Sequence, residues 1–254
     1  MPSEVRHRVD GGHAFPVVRL DGVLDAGSAP AVRAALLGVL GGQPEAMVVD
    51  VRGLTLGAPE ATGVLADVAR QAAGWPGSRL VLCTGAGQDG WHATGLRTEP
   101  GVEAALAELG RPHPADFLSV TLEPVIGAAR RSRELVAEAC ARWDLVTLAG
   151  PACIVVTELV NNVVAHSRTA MTVFASRRGE LLLVAVRDED ATIPRFTGSP
   201  VPATSYGGRG LLLIDSVAER WGSLALPGGK VVWAALSAEH ERAQQAAGFG
   251  TPQP

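Results

Sequence analysis

Residues 157–167 combine side chains that could do chemistry with side chains suited to a hydrophobic core. An α-helix turns by about 100° per residue, which would put the valines and leucines of this stretch on one face. The opposite face would carry Glu158, Asn161, Asn162 and His166. Asparagine is a mediocre helix former, so helix propensity does not explain two of them in mid-helix. The polar stripe is therefore either a solvated surface or one wall of a polar pocket.

Two later stretches carry residue types that suit the same pocket. The predicted strand 181–187 is followed directly by Asp188, and Gly208, Arg209 and Gly210 come at the start of a predicted helix. Glycines at a helix N-terminus let backbone N–H groups approach a phosphate chain closely. Taken singly, these signals are weak, because Gly-x-Gly is usually a capping turn and an acid at a strand end is usually solvated.

Together, these residues provide the groups that a nucleotide needs. Glu158 and Asn162 lie one helical turn apart and so point the same way. The side-chain oxygen of Asn162 can complete an octahedral Mg²⁺ that shares its other ligands with phosphates. Asp188 can accept a hydrogen bond from the exocyclic amine of adenine, and a glutamate beside the terminal phosphate can take a proton from a hydroxyl or water. The set favours ATP with Mg²⁺.

In this order the residues resemble the Bergerat, or GHKL-type, ATP-binding fold over residues 117–237. Glu158 and Asn162 correspond to its N box, Asp188 to its first glycine box, and Gly208-Arg209-Gly210 to its second. The chain is most similar to the anti-sigma factor and serine/threonine protein kinase branch of actinobacteria. Runs of the type Val-Arg-Asp-x-Asp, Gly-Arg-Gly-Leu and Glu-Arg-Trp-Gly are typical of that branch, and all three are present here.

This resemblance implies that Glu158 is the catalytic base and that Asn162 is a magnesium ligand. The residues that it places against ATP are Asn162, Asp188, Gly208, Arg209 and Gly210. The chain departs from the wider superfamily at Asp190, where a glycine is usual, and at Val231, where many relatives have a threonine. Both departures fall where the family binds adenine, and they leave the turnover of ATP open.

Around these motifs, the C-terminal half is predicted to fold as a Bergerat α/β sandwich. The predicted strands are residues 117–122, 169–176, 181–187, 222–226 and 231–236. The predicted helices are residues 124–143, 148–167 and about 211–220. Residues 191–206 are rich in Pro, Gly, Ser and Thr and are predicted to form a flexible loop.

The N-terminal half alternates strands with helices, which predicts helices packed on a sheet and makes the whole chain a two-domain α/β protein. The predicted strands are residues 15–20, 23–25, 47–51 and 80–83, with a turn at Asp21-Gly22. The predicted helices are residues 28–40, 59–73 and 102–109.

The predicted domains are residues 1–111 and 117–238. Residues 112–116 form the linker between them, in which the residue before each proline is held extended. Residues 239–254 are predicted to be a flexible tail.

Residues 20–25, the helix after them and residues 48–51 resemble the STAS domain of bacterial anti-sigma factor antagonists, over residues 12–110. In that family the hydroxyl just before a glycine at a helix N-terminus is phosphorylated. Free N–H groups and the helix dipole favour a phosphate at that place. The corresponding segment is residues 60–63, which makes Thr62 the candidate phosphoacceptor by position. The alternative is that Thr62 only caps or packs the helix.

Composition excludes several classes of function. A formal net charge of −4 argues against a general nucleic-acid surface. The three cysteines lack the spacing of metal ligands. Residues 1–10 are polar and no uninterrupted apolar segment approaches the roughly 18 residues that span a bilayer, so we expect a cytoplasmic protein without a membrane segment.

The two resemblances together imply a regulator of partner-switching signalling. In that system a kinase of the Bergerat type holds a sigma factor and phosphorylates a STAS-type antagonist, which changes the partner that the kinase holds. The expected partners are a sigma factor, an antagonist in cis or in trans, and a second copy of the chain in a homodimer. The alternative is a non-catalytic interaction scaffold that binds ATP or no nucleotide.

Overall fold

A computed structural model describes residues 4–74, 78–85, 89–111, 116–193 and 209–248 of the chain. The chain divides into two compact units, Met1–Pro114 and Ala115–Pro254. The division falls within the predicted linker, of which the structure describes only Asp116. Each unit contains a sheet with helices, so the predicted two-domain α/β class is confirmed.

The N-terminal unit is built on a mixed five-stranded sheet. Its strands are β1 (Val5–Asp10), β2 (Val17–Leu24), β3 (Ala46–Leu56), β4 (Arg79–Cys83) and β5 (Arg97–Glu99). Its α-helices are α1 (Ala29–Leu40), α2 (Gly63–Gly74) and α3 (Val102–Leu109). The strands lie in the order β1-β2-β3-β4-β5, with β1 antiparallel to β2 and the other neighbours parallel. β2 is connected to β3 through α1, and β3 to β4 through α2, as is usual for parallel strands.

The predicted turn at Asp21-Gly22 is wrong. β2 runs through both residues, and its pairing with β3 shifts register between Arg19 and Asp21, as in a β-bulge. Gly22 adopts a φ of 124°, and a Cβ there would lie 2.2 Å from the carbonyl oxygen of Glu4, the residue just before β1. Only glycine fits this place, so Asp21-Gly22 lies within a strand and not in a hairpin turn.

Two edge strands of this sheet, β1 and β5, were not predicted from the sequence. β1 is polar and largely exposed, so it lacks the apolar alternation that marks a half-buried strand. β5 has only three residues. Both are specified by pairing to their neighbours, β1 to β2 and β5 to β4, and not by their own composition.

The C-terminal unit has an entirely antiparallel sheet. Its strands are β6 (Phe117–Leu122), β7 (Met171–Arg178), β8 (Leu181–Asp188), β9 (Arg220–Leu226) and β10 (Gly229–Ser237), and its α-helices are α4 (Ala128–Arg142), α5 (Ala149–Asn162), α6 (Arg209–Val217) and α7 (Ala238–Gly248). The strands lie in the order β6-β7-β8-β10-β9, and β6 is an edge strand as predicted. The inserted position of β10 brings Lys230 opposite Asp188.

The helix predicted over residues 148–167 is the central core helix of this unit. Its α-helical part ends at Asn162, and residues Val163–Ser167 continue it as a π-helical turn that Arg168 closes in the left-handed conformation. By length and hydropathy alone, Val146–Ser167 could cross a membrane. In this fold its apolar side chains pack in the core with those of α4 and the sheet, which accounts for their hydropathy.

The predicted tail begins instead with a helix. The backbone N–H of His240 donates to Ser237 Oγ at 3.2 Å, as at a helix N-cap, and Glu239 and Glu241 lie in the first turn, where the helix dipole favours them. Residues 249–254 lie outside the described part of the chain. The cap and the acidic first turn can be read from the sequence. The segment was nevertheless predicted to be a flexible tail because it has few apolar residues.

Candidate functional site

A cavity of about 450 Å³ lies in the C-terminal unit, which is within the usual size of small-molecule sites. Four parts of the fold form its walls: α5 with its π-helical turn, the end of β8 with the residues after it, α6, and β10. The lining residues are Leu159, Asn162, Val163, His166, Ser167, Val186, Asp188, Asp190, Thr192, Ile193, Leu211, Lys230 and Val232. Apolar walls with a few converging polar groups are typical of a ligand site.

The polar stripe of α5 contributes to this site in part. Asn162 and His166 line the cavity, whereas Asn161 is exposed and does not. Glu158 is half-buried and lies next to α6, outside the residues that line the cavity. The solvated-surface interpretation of the stripe therefore holds for Asn161 and not for Asn162.

Gly210 lets α6 approach Glu158 closely. A Cβ built on Gly210 would lie 2.7 Å from Glu158 Oε2, which is inside van der Waals contact. The sequence predicted both residues for one site, and the structure brings them together. The carboxylate of Glu158 is therefore beside the first turn of α6, whose free N–H groups and dipole favour anions.

Asp188 is buried at the wall of the cavity, with an exposed fraction of 3%. Its Oδ1 accepts a hydrogen bond from Lys230 Nζ at 2.9 Å and one from the backbone N–H of Asp190 at 2.8 Å. Within the described residues, no hydrogen bond reaches Oδ2. The Asp188 side chain is thus held by one of its oxygens, while the other can accept a bond from a ligand.

Lys230 is a residue of the cavity wall that was not predicted for the site from the sequence. It is the only lysine of the chain and is 6% exposed on a strand whose nine residues are all buried. Lysine is almost never fully buried unless it is paired. A single lysine inside an apolar strand pattern was the available signal, and its partners, far away in sequence, could not be inferred from it.

Asp190, noted above as a departure from the superfamily, belongs to the same cluster. Its carbonyl oxygen accepts from Lys230 Nζ at 2.9 Å, and its Oδ2 lies 3.4 Å from Nζ and accepts from Ser167 Oγ at 3.2 Å. Hydrogen bonds from the backbone and side chain of Thr192, followed by the charge of Lys230, lower the pKa of Asp190 to about 2. The negative charge of Asp190, at the position where the superfamily usually has glycine, is therefore balanced by the ammonium group of Lys230.

The low pKa of Asp190 gives a stability prediction. A carboxyl with a depressed folded-state pKa stabilises the fold above its ordinary pKa of 3.8, and this contribution is lost as the pH falls through about 2. The stability advantage of the wild type over Asp190→Asn should therefore be constant above about pH 5 and shrink below about pH 4. Denaturant unfolding at a series of pH values measures it. An advantage that stays constant down to pH 3 would contradict the assignment.

The remaining predicted ATP contacts are only partly described. Arg209 is the first residue of α6, and Gly208 lies outside the described residues, as does most of the predicted loop 191–206. Within the described chain, no group of three or more His, Cys, Asp or Glu side chains could hold a metal ion alone. A magnesium ion bound with nucleotide phosphates needs only one or two protein oxygens, and Asn162 on the cavity wall fits that role.

Thr62, in the N-terminal unit, faces inward. It ends a 3₁₀ turn (Pro59–Thr62) just before α2, is 5% exposed, and donates from Oγ1 to the carbonyl oxygen of Pro59 at 2.8 Å. This is the geometry of a side chain that caps and packs the turn, the alternative given above. Phosphorylation of Thr62 stays a prediction, and it would require the turn to open.

Neither a family model nor a curated protein matches this sequence. Among solved structures, an anti-sigma factor antagonist from Mycobacterium paratuberculosis matches with 24% identity and a TM-score of 0.36, over 41% of this chain and 93% of that chain. The RsbU and RsbW domains of a Mycobacterium tuberculosis protein match with 20% identity and a TM-score of 0.36, over 50% of this chain and 33% of that chain. A histidine kinase domain from Erythrobacter litoralis matches with 17% identity and a TM-score of 0.31, over 45% of this chain and 64% of that chain. These are likenesses of fold.

Proposed function

We propose that the C-terminal unit binds ATP and Mg²⁺ in the cavity beside α5. We further propose that the chain is a partner-switching regulator that acts as an anti-sigma factor and serine/threonine kinase on a STAS-type antagonist. The observation that supports this most is the buried Asp188. One of its oxygens is held by Lys230 and by the backbone of Asp190, and it lies on the same cavity as Asn162. A hydrogen-bonded acceptor in an apolar pocket suits the amine of adenine.

Each residue then has a chemical role. The side-chain oxygen of Asn162 would hold a magnesium ion, which would supply positive charge to the phosphates. Backbone N–H groups at the start of α6, including that of Gly210, would bind the phosphate chain. Glu158, half-buried beside Gly210, accepts the proton of the attacking hydroxyl.

The N-terminal unit is the proposed antagonist in cis. A short tether between two modules raises their effective concentration to roughly millimolar, so the same chain can supply the substrate hydroxyl without a tight interface. A sigma factor, a separate antagonist and a second copy of the chain are the other proposed partners, and the proposed location is the cytoplasm.

A second candidate function is a non-catalytic scaffold. Two observations favour it: the Thr62 hydroxyl is buried and engaged with Pro59, and Glu158 lies outside the residues that line the cavity. In this case the nucleotide, if bound, stabilises the C-terminal unit for partner binding, and no phosphoryl group is transferred.

Phosphopeptide mapping by mass spectrometry separates the two candidates. The full chain is incubated with ATP and Mg²⁺, alone and with separate STAS-domain proteins, beside Glu158→Gln as the base-deficient control. We expect a phosphorylated serine or threonine whose formation falls by about 100-fold in the control. If no phosphate is transferred, or if transfer is unaffected in Glu158→Gln, the kinase assignment is wrong.

Substituting Gly210 tests the placement of Glu158. In Gly210→Ala the new methyl group would lie 2.7 Å from Glu158 Oε2, so the carboxylate must move. We expect phosphoryl transfer to fall about 10-fold or more while the protein stays folded, because a flexible side chain can move away at low cost. Gly127→Ala is the control, since a Cβ there meets nothing within 4 Å. Unchanged transfer in Gly210→Ala would show that the position of Glu158 is immaterial.

A further inference from the structure

Lys230 is a buried cation that the proposed phosphoryl transfer does not use. It is 6% exposed, and it follows Gly229 on β10, directly opposite Asp188 on β8. Burying an ammonium group is costly unless it is paired and hydrogen-bonded. The buried ammonium group of Lys230 therefore needs a hydrogen-bond acceptor for each of its protons.

All three protons of the ammonium group have acceptors. Nζ donates to Asp188 Oδ1 at 2.9 Å, to the carbonyl oxygen of Asp190 at 2.9 Å and to Ser167 Oγ at 3.1 Å. An ammonium group has no further donor to offer a phosphate or a base. Lys230 therefore acts on a ligand only through the groups that it holds.

Of the groups that Lys230 holds, Asp188 is the most buried, and it lies on the cavity wall. Its Oδ1 accepts from both Lys230 and the N–H of Asp190, which fixes the plane of the carboxylate. A carboxylate has no proton to donate and can only accept hydrogen bonds. Oδ2, without a hydrogen bond among the described residues, remains for the ligand.

We propose that Lys230 sets which nucleobase the cavity accepts, by holding Asp188 as an oriented, charged acceptor that selects a base with an amine over one with a carbonyl. Hypoxanthine carries a carbonyl at the ring position where adenine carries its exocyclic amine. The oxygen of this carbonyl would face the Asp188 carboxylate. Lys230 is thus a positioning residue for base selection. This inference rests on the proposed binding of ATP.

The test compares the affinities of the full chain for ATP and for ITP, which differ in this group. For the wild type we expect ATP to bind at least roughly 10-fold more tightly than ITP. ITP has no amine to donate to Asp188, and leaving a buried carboxylate without a hydrogen-bond donor lowers the affinity. In Lys230→Met, which keeps the length of the side chain but removes its charge and donors, the two affinities should lie within about threefold.

Arg187→Met is the matched control. Arg187 precedes Asp188 on β8, is exposed, and its loss removes the same charge without touching the cluster. We expect it to keep the wild-type preference. A lysine with a purely structural role would weaken both nucleotides equally in Lys230→Met and leave their ratio unchanged, and that result would overturn the proposal.

A second measurement needs no substitution. Because Lys230 is the only lysine, protein labelled with ¹⁵N and ¹³C in lysine gives one side-chain signal in NMR spectra. ATP should shift this signal at saturation, and ITP at equal occupancy should shift it less. If Lys230→Met does not fold, this measurement decides: an unaffected lysine signal in ATP-saturated protein contradicts the proposal. A wild type that binds neither nucleotide instead contradicts the proposed function.

Discussion

Asp188→Asn is expected to weaken ATP binding by about 10- to 100-fold, the cost of losing a charged acceptor in a buried site. Asparagine keeps the shape of the side chain, so the cavity itself should remain. The substitution also leaves Lys230 with less countercharge, and breaking a buried ion pair costs about 3 kcal/mol of unfolding free energy, an order-of-magnitude figure. Equilibrium dialysis with labelled ATP, below the melting temperature of the variant, measures the affinity.

Glu189→Gln is the matched control for this prediction. Glu189 is the next residue in the chain, and it is exposed. Neutralising it removes the same charge outside the cavity wall, so affinity and stability should both change little. Equal losses in Asp188→Asn and Glu189→Gln would mean that net charge, and not the buried acceptor, governs binding.

Gly229→Ala is expected to destabilise the C-terminal unit by about 2–3 kcal/mol, the upper range for overpacking. A Cβ at Gly229 would lie 2.1 Å from the backbone oxygen of Asp188. No side-chain rotation relieves a clash with backbone, so β8 and β10 must separate next to the Asp188–Lys230 pair. ATP affinity should fall together with stability.

Gly38→Ala provides the comparison for Gly229→Ala. A Cβ on Gly38, near the end of α1, meets nothing within 4 Å, and alanine is a better helix former than glycine. This variant should be as stable as the wild type or slightly more stable by thermal unfolding. A Gly229→Ala protein with the wild-type melting temperature would contradict the close approach of the two strands.

The features that could be predicted from the sequence are those with a local signal. The α5 stripe follows from a periodicity of 3.6 residues, and α3 was predicted at the residues where it lies, Val102–Leu109. The α/β class follows from alternating strands and helices. Asp188 and Gly210 were predicted to share a site from a family resemblance carried by the order of the motifs, and not from a local pattern.

The features that were missed depend on partners distant in the sequence. Lys230 bonds to Ser167 and Asp188, 63 and 42 residues away, and only the insertion of β10 beside β8 brings them together. The polar strand β1 is specified by its pairing with β2.

The departure at Asp190 shows why a motif alone is insufficient. From the sequence, an acid in place of glycine suggested a changed approach to adenine. In the structure its backbone N–H and its carbonyl oxygen connect Asp188 and Lys230. Its carboxylate lies 3.4 Å from the lysine ammonium, so the additional charge is balanced within the cluster.

Calorimetric titration of the wild-type chain with ATP, with and without Mg²⁺, tests the central claim most directly. The account predicts saturable binding of one ATP per chain that strengthens when Mg²⁺ is present, because Asn162 and the phosphates share the ion. The absence of any saturable binding, with the protein folded and at concentrations up to millimolar ATP, would contradict it and leave a scaffold without a nucleotide.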